Sequence, residues 1–340
     1  MNSILSLTPS QRAELFQAAA QRHGMGVVIV EKDFWVCWTL RELFSLPEIG
    51  EHLLFKGGTS LSKVWRIIER FSEDIDISLS RDWLGFGGDA DPERAGSGGK
   101  QRERIDALVA ACIKKIKSDL LPALRARAQH GLGETGWTIE LDPDEPQTLL
   151  FRYPTALPMD GDSAYVRREV KIECGARSDA WPAESRTIQP YVADGVEAIK
   201  DASFAVRALS AERTFWEKAT ILHAEANRHP DKPTPVRYSR HYADLAAFVG
   251  SPVFEQALAS ADLRERVVQH KQVFFTARWA KYHEAVPGTF RVVPERYRLD
   301  ILEADYRDMG EMYFGRPLTW SEVLERLHHL QDRINQTGAA

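Results

Sequence analysis

FKGGTSLSKVWRIIERFSEDIDISL, residues 55–79, is the stretch that decides the fold. HLLFKGG reads as a short strand entering a turn at Gly57 and Gly58. A helix is predicted from Ser60 to about Arg70. Leu61, Val64, Trp65, Ile68 and Phe71 share one side of it; Ser62, Lys63, Arg66, Glu69 and Arg70 share the other. SEDIDISLS then alternates as a strand does. Two glycines let a ligand approach the backbone closely. The helix start after them offers free N–H groups and the positive end of a dipole, an anion site suited to a phosphate. Thr59 and Ser60 add hydroxyl donors.

Asp74 and Asp76 stand two apart on the predicted strand, so both carboxylates emerge on one face while Ile75 and Ile77 enter the core. Two carboxylates about 5 Å apart, at an effective dielectric near 20, repel by about 3 kcal/mol. A divalent cation removes that cost, and Mg²⁺ (or Mn²⁺) suits oxygen ligands together with phosphate. A third carboxylate is expected from a neighbouring strand. In REVKIE, residues 168–173, alternation puts Glu169, Lys171 and Glu173 on one face, with Glu173 the metal-ligand candidate and Lys171 a phosphate or nucleophile partner.

Further along, a helix after Ser210 buries Phe215, Ala219 and Leu222. Lys218 falls at the edge of that stripe, and Glu217 faces outward near Arg213. Lys218 is therefore the candidate triphosphate ligand, with a buried ion pair as the alternative. Residues 227–244, NRHPDKPTPVRYSRHYAD, read as a basic loop leading into a helix.

Outward from these motifs, helices are expected over QRAELFQAAAQR, capped by Thr8 or Ser10, and from about Glu31 through KDFWVCWTLRELF. Residues 85–99 carry six glycines and read as a mobile loop. A long amphipathic helix follows over 101–128, kinked or ended at Pro122. From 94 to 130 nine Lys or Arg stand against three acids, a local surplus of +6. Strands are expected over 136–150 and 164–174. Beyond about 200 the pattern is helical: 210–226, 241–249, 253–259, 261–283, 299–313 and 320–336. This places an α/β domain over 1–200 and a helical domain over 201–340, an α+β class with a mixed sheet.

With 340 residues, 44% apolar and 27% charged, the chain has ample material for a core and is no disordered segment. Forty-four basic against 49 acidic residues exclude a polybasic nucleic-acid binder, so any phosphate-binding surface is local. Three scattered cysteines suggest buried thiols rather than zinc or a disulfide framework. With no signal-peptide pattern and no run of about 18 apolar residues, a cytoplasmic protein without membrane contact is expected.

EKDFWVCWTLRELF, the 55–79 block, ERTFWEKATILH, RHYADL and DYRDMGEMYFG, in that order, resemble the AbiEii/AbiGii nucleotidyltransferase toxin family from about residue 25 to 335. The resemblance implies a DNA polymerase β-like core with a helical C-terminal half. It implies a toxin of a toxin–antitoxin or phage-defence system, using a nucleoside triphosphate with Mg²⁺; some members extend tRNA 3′ ends. By position, Gly58 and Thr59 match the glycine–hydroxyl signature and Asp74 and Asp76 the metal carboxylates. Glu173 stands where the family more usually has Asp. Lys218 and Asp244 match the lysine and acid of the helical motifs. The expected function is nucleotide transfer to an acceptor, with RNA favoured and an antitoxin a possible partner. Gly57, Gly58, Thr59, Ser60 and Lys63 are expected at the nucleotide. Two alternatives remain. One is a metal-dependent nuclease built on Asp160, Glu169 and Lys171; the other is an inactive nucleotide-binding module.

Overall fold

The computed structural model describes residues 1–158, 167–196 and 199–337. They form two compact units, Met1–Val64 with Phe71–Leu209, and Trp65–Arg70 with Ser210–Ala340.

The first unit opens with α1 (Asn2–Leu5), α2 (Pro9–His23) and α3 (Val27–Phe44). Thr8 begins α2 with a reciprocal cap: the Gln11 N–H donates to Thr8 Oγ1 at 3.3 Å, and the Thr8 N–H to Gln11 Oε1 at 3.0 Å. Next come β1 (Leu53–Lys56), α4 (Gly57–Lys63), β2 (Asp74–Leu79) and α5 (Gly98–Lys115). A π-helical turn over Ile116–Leu120 joins α5 to α6 (Leu121–Leu132), so Pro122 falls just after this irregularity, in the first turn of α6. The unit closes with β3 (Thr138–Leu141), β4 (Thr148–Arg152), β5 (Glu169–Gly175), β6 (Ala183–Ile188) and β7 (Phe204–Leu209).

These seven strands make one mixed sheet in the order β3-β4-β5-β2-β1-β7-β6. β2 runs parallel to β5 and antiparallel to β1, and β1 is parallel to β7. Alternation gives the sheet an apolar face: Ile75, Ile77, Val170, Ile172 and Phe151 are fully buried. Helix α3 packs there, its Trp35 and Trp38 rings 5.9 and 5.3 Å from Phe151. The class is α+β, as expected.

Several boundaries differ from the expectation. The helix after the glycine turn begins at Gly57 and ends at Lys63 rather than running from Ser60 to Arg70. Arg66 takes a left-handed φ of 53°, and Arg70 turns inward to pair with Asp244 at 2.7 Å in the second unit. Residues 136–150 hold two strands around an Asp-Pro turn, not one. The glycine-rich segment carries two short 3₁₀ turns, and Arg81 pairs with Asp91 there at 3.1 Å.

The second unit is helical: α7 (Ala211–Ala226), α8 (Ser239–Ala246), α9 (Pro252–Ala259), α10 (Ala261–Phe274), α11 (Leu299–Asp308) and α12 (Trp320–Gln336). Phe215, Trp216, Phe248 and Phe254 fill its interior. Arg213, expected on the outer side of α7, is fully buried and lies 3.3 Å from Glu217. Packing surrounds α7, so a wheel drawn for a one-sided helix misplaces it. No helix among the described residues is long and apolar enough to cross a membrane.

Candidate active site

Strand pairing gathers the site on the polar face of the first unit's sheet. Asp76 is the register partner of Lys56 on β1 and of Glu173 on β5; Asp74 is the partner of Lys171. Partnered residues share a face, so Lys56, Asp74, Asp76, Lys171 and Glu173 project together. Lys56 Nζ stands 3.6 Å from Asp76 Oδ1. Sequence reasoning gives Lys56 no role; its cross-strand position is what assigns it here, and no local pattern announces that.

The glycine turn is explained by this face. Gly57 has φ of 75°, and a Cβ built on it would lie 2.6 Å from Asp76 Cγ, closer than real Cβ atoms come. Gly57→Ala is therefore expected to displace the Asp76 carboxylate. Transfer should fall at least about tenfold from such a misplacement. Turnover together with Mn²⁺ affinity checks this, and an unchanged pair of values would contradict it.

Two hydroxyls expected at a phosphate are used otherwise. Thr59 is 1% exposed, and its Oγ1 donates to the backbone carbonyls of Ser72, at 3.2 Å, and Asp74. Ser60 is fully buried and donates to the Gly57 carbonyl at 2.8 Å. Both tie down the turn, Thr59 to β2 and Ser60 to Gly57 itself. Lys63, expected at the nucleotide, is also engaged within the protein. Its side chain is 5% exposed, paired with Asp33 at 2.7 Å, and its Nζ lies 3.5 Å from the centre of the Tyr191 ring.

Lys171 bridges Glu173 at 2.8 Å and Glu145 at 3.0 Å. Burial would lower its pKa, but the hydrogen bonds and charges of these two carboxylates outweigh it and raise the ammonium above the usual lysine range. Among the described residues no three His, Cys, Asp or Glu side chains gather as a metal cluster. The donor set on the face is all carboxylate oxygen, which fits Mg²⁺ or Mn²⁺ and not a thiolate- or imidazole-seeking metal. Asp74, Asp76 and Glu173 are the carboxylates that share this face, and Glu173 is held by Lys171 at 2.8 Å. Of the nuclease-like grouping, Asp160 lies outside the described residues. Glu169 meets Arg152 at 3.5 Å and Arg167 at 3.9 Å.

In the second unit Lys218 is buried, as its wheel position implied, but it is an ion-pair partner. Its Nζ meets Asp244 Oδ2 at 2.8 Å, and Arg70 grips the same carboxylate at 2.7 and 2.8 Å. Burial would raise the Asp244 carboxyl, yet Arg70 and Lys218 hold it well below the usual carboxylate range. Burial lowers the Lys218 ammonium, because one carboxylate shared with Arg70 compensates it only in part.

Residues 38–326 match the family described as nucleotidyl transferase AbiEii toxin, type IV toxin–antitoxin system. The chain belongs to the AbiEii nucleotidyltransferase toxin family. It is thus a nucleotidyltransferase of the AbiEii type. No curated protein matches it. Among solved structures it is similar to MenT4, a nucleotidyltransferase toxin from Mycobacterium tuberculosis H37Rv. That similarity has 17% identity and a TM-score of 0.43 over 96% of this chain and 90% of that one.

Proposed function

We propose that this AbiEii-family protein transfers a nucleotide from a nucleoside triphosphate to an RNA, with a tRNA 3′ end the favoured acceptor, and that it does so with Mg²⁺ or Mn²⁺ held by Asp74 and Asp76. The observation that supports this most is the register of β2: Asp74 and Asp76 share a face with Lys56, Lys171 and Glu173, beside a glycine that leaves room for Asp76. The metal would neutralise charge on the triphosphate and favour an attacking hydroxyl. Lys56 and Lys171 supply fixed positive charge where phosphate oxygens arrive. The glycines at 57 and 58 let the ligand come close to the backbone. The acceptor hydroxyl bonds to the α-phosphorus, the α–β anhydride bond breaks, and pyrophosphate leaves. Lys63 and Lys218, each held in a buried ion pair, are left out of this reading, and the turn hydroxyls act as staples. As the toxin of a two-component system, the protein is expected to meet a cognate antitoxin. Sequencing RNA 3′ ends after incubation with the protein and each NTP tests the proposal: added nucleotides support it, and unaltered ends contradict it.

The RNA acceptor carries its own expectation. Lys100, Arg102, Lys114, Lys117 and Arg125 are basic residues along α5, the π turn and α6. Neutralising about five phosphates releases counterions, so RNA affinity should fall by about two orders of magnitude between 50 and 200 mM salt. Filter binding across that range checks it. A flat response would point to an acceptor other than RNA.

A further inference from the structure

Glu31, Lys32 and Asp33 are three successive charged residues on α3, and they are 0%, 2% and 0% exposed. Three residues in a row span about 200° of a helix, so they point three ways. Each finds a different partner. Lys32 Nζ lies 2.6 Å from Glu73 Oε2 and donates to the Arg167 carbonyl at 2.8 Å. Asp33 meets Lys63 at 2.7 Å and accepts the Tyr191 N–H, also at 2.7 Å. Glu31 accepts the Ala156 N–H at 2.6 Å and the Thr155 hydroxyl at 2.7 Å.

Stability does not account for these charges. Replacing a buried ion pair by apolar side chains of similar volume is often neutral or stabilising. Their placement does account for them. Glu73 immediately precedes Asp74, and alternation sends the two to opposite faces. Lys32 therefore grips the start of β2 from beneath, on the side where α3 packs, while Asp74 projects above. Lys63 closes α4, the short helix that begins at Gly57. Arg167 stands two residues before β5, the strand of Lys171 and Glu173. Three segments that carry the site thus converge on one turn of α3.

We propose that Lys32 and Asp33 are positioning residues: through Glu73 and Lys63 they set the start of β2 and the glycine turn, and so the carboxylates of Asp74 and Asp76. The proposal rests on the metal-bound reading of those two residues. Lys32→Met/Glu73→Leu removes one pair as a unit and leaves neither charge alone. The same holds for Asp33→Asn/Lys63→Met, in which the side-chain amide oxygen that replaces the carboxylate still accepts the Tyr191 N–H.

The test compares these double variants with the full-length wild type. Far-UV circular dichroism reads folding, electron paramagnetic resonance titration reads Mn²⁺ affinity, and steady-state kinetics separate kcat from KM for the NTP. Both doubles are expected to fold. Mn²⁺ affinity and kcat should drop about 10- to 100-fold, the range seen when the outer partners of metal ligands are removed, with KM little changed. Wild-type Mn²⁺ affinity and kcat in both would overturn the proposal. A rise in KM alone for Asp33→Asn/Lys63→Met would also overturn it and return Lys63 to the triphosphate. Should a double fail to fold, Glu73→Asp keeps the charge but shortens the reach; it should weaken Mn²⁺ binding, and unchanged binding overturns the proposal. Mn²⁺ binding needs no turnover, so failure of positioning stays distinct from failure of nucleotide transfer. A wild type that binds Mn²⁺ through Asp76 but moves no nucleotide refutes the transfer reading alone.

Discussion

Replacing Asp76 by Asn is expected to lower nucleotide transfer by at least about a thousandfold, because losing metal positioning removes several kcal/mol of transition-state stabilisation. The amide keeps the size and hydrogen bonding of the carboxylate but not the charge that holds a divalent cation. Asp76 sits in register between Lys56 and Glu173, with Gly57 cleared of any Cβ against it, and Glu173 is already engaged by Lys171 at 2.8 Å. The fold should persist, since Ile75 and Ile77 anchor β2 from the other face. Without metal the stability of the variant should stay within about 1 kcal/mol of the wild type, because relief of the repulsion with Asp74 offsets loss of the partly exposed pair with Lys56. Steady-state turnover and a urea melt, both run with and without Mg²⁺, check the two halves. Near-normal Mg²⁺-dependent turnover would remove Asp76 from the site.

The second large effect concerns Asp244. Asp244→Asn is expected to cost about 3–5 kcal/mol of stability, because Arg70 and Lys218 would stay buried without their counter-charge. The sign with pH follows from the depressed carboxyl of Asp244. Its contribution is complete above the unfolded Asp value of about 3.9 and is lost as pH falls below that range. At neutral pH the wild type therefore has it in full. In the variant, burial favours loss of the Lys218 proton, so the deficit should shrink as pH is raised into the alkaline range. Urea denaturation at neutral and at alkaline pH measures both. A deficit under about 1 kcal/mol at neutral pH would show the cluster to be solvated rather than buried.

The parts of this protein that are legible in its sequence are those governed by local period. Alternation in DIDISL places Asp74 and Asp76 on one face and the isoleucines beneath, and REVKIE does the same for β5. The reciprocal Thr8–Gln11 cap is legible in part, since Thr8 is one of two candidate caps. What is not legible depends on tertiary contact. The helix after Gly57 stops at Lys63, although its apolar spacing continues, because residues 65–70 belong with the helical unit. β6 escapes notice because four of its residues are exposed in succession, leaving no alternation to read. Thr59, Ser60 and Lys63 have the right types for a phosphate site, but types alone do not say which way a side chain turns. Nothing in the local pattern announces that Glu31, Lys32 and Asp33 are buried, because that depends on α3 being enclosed along most of its length.

The most direct test of the account uses one NTP labelled in two ways, at the α-phosphate or at the γ-phosphate, incubated with RNA, Mg²⁺ and the protein. Nucleotide transfer carries the α-label into RNA and releases the γ-label in pyrophosphate, and Asp76→Asn should abolish both events. γ-label entering the RNA, RNA shortened instead of labelled, or α-label transferred equally well by Asp76→Asn would contradict it.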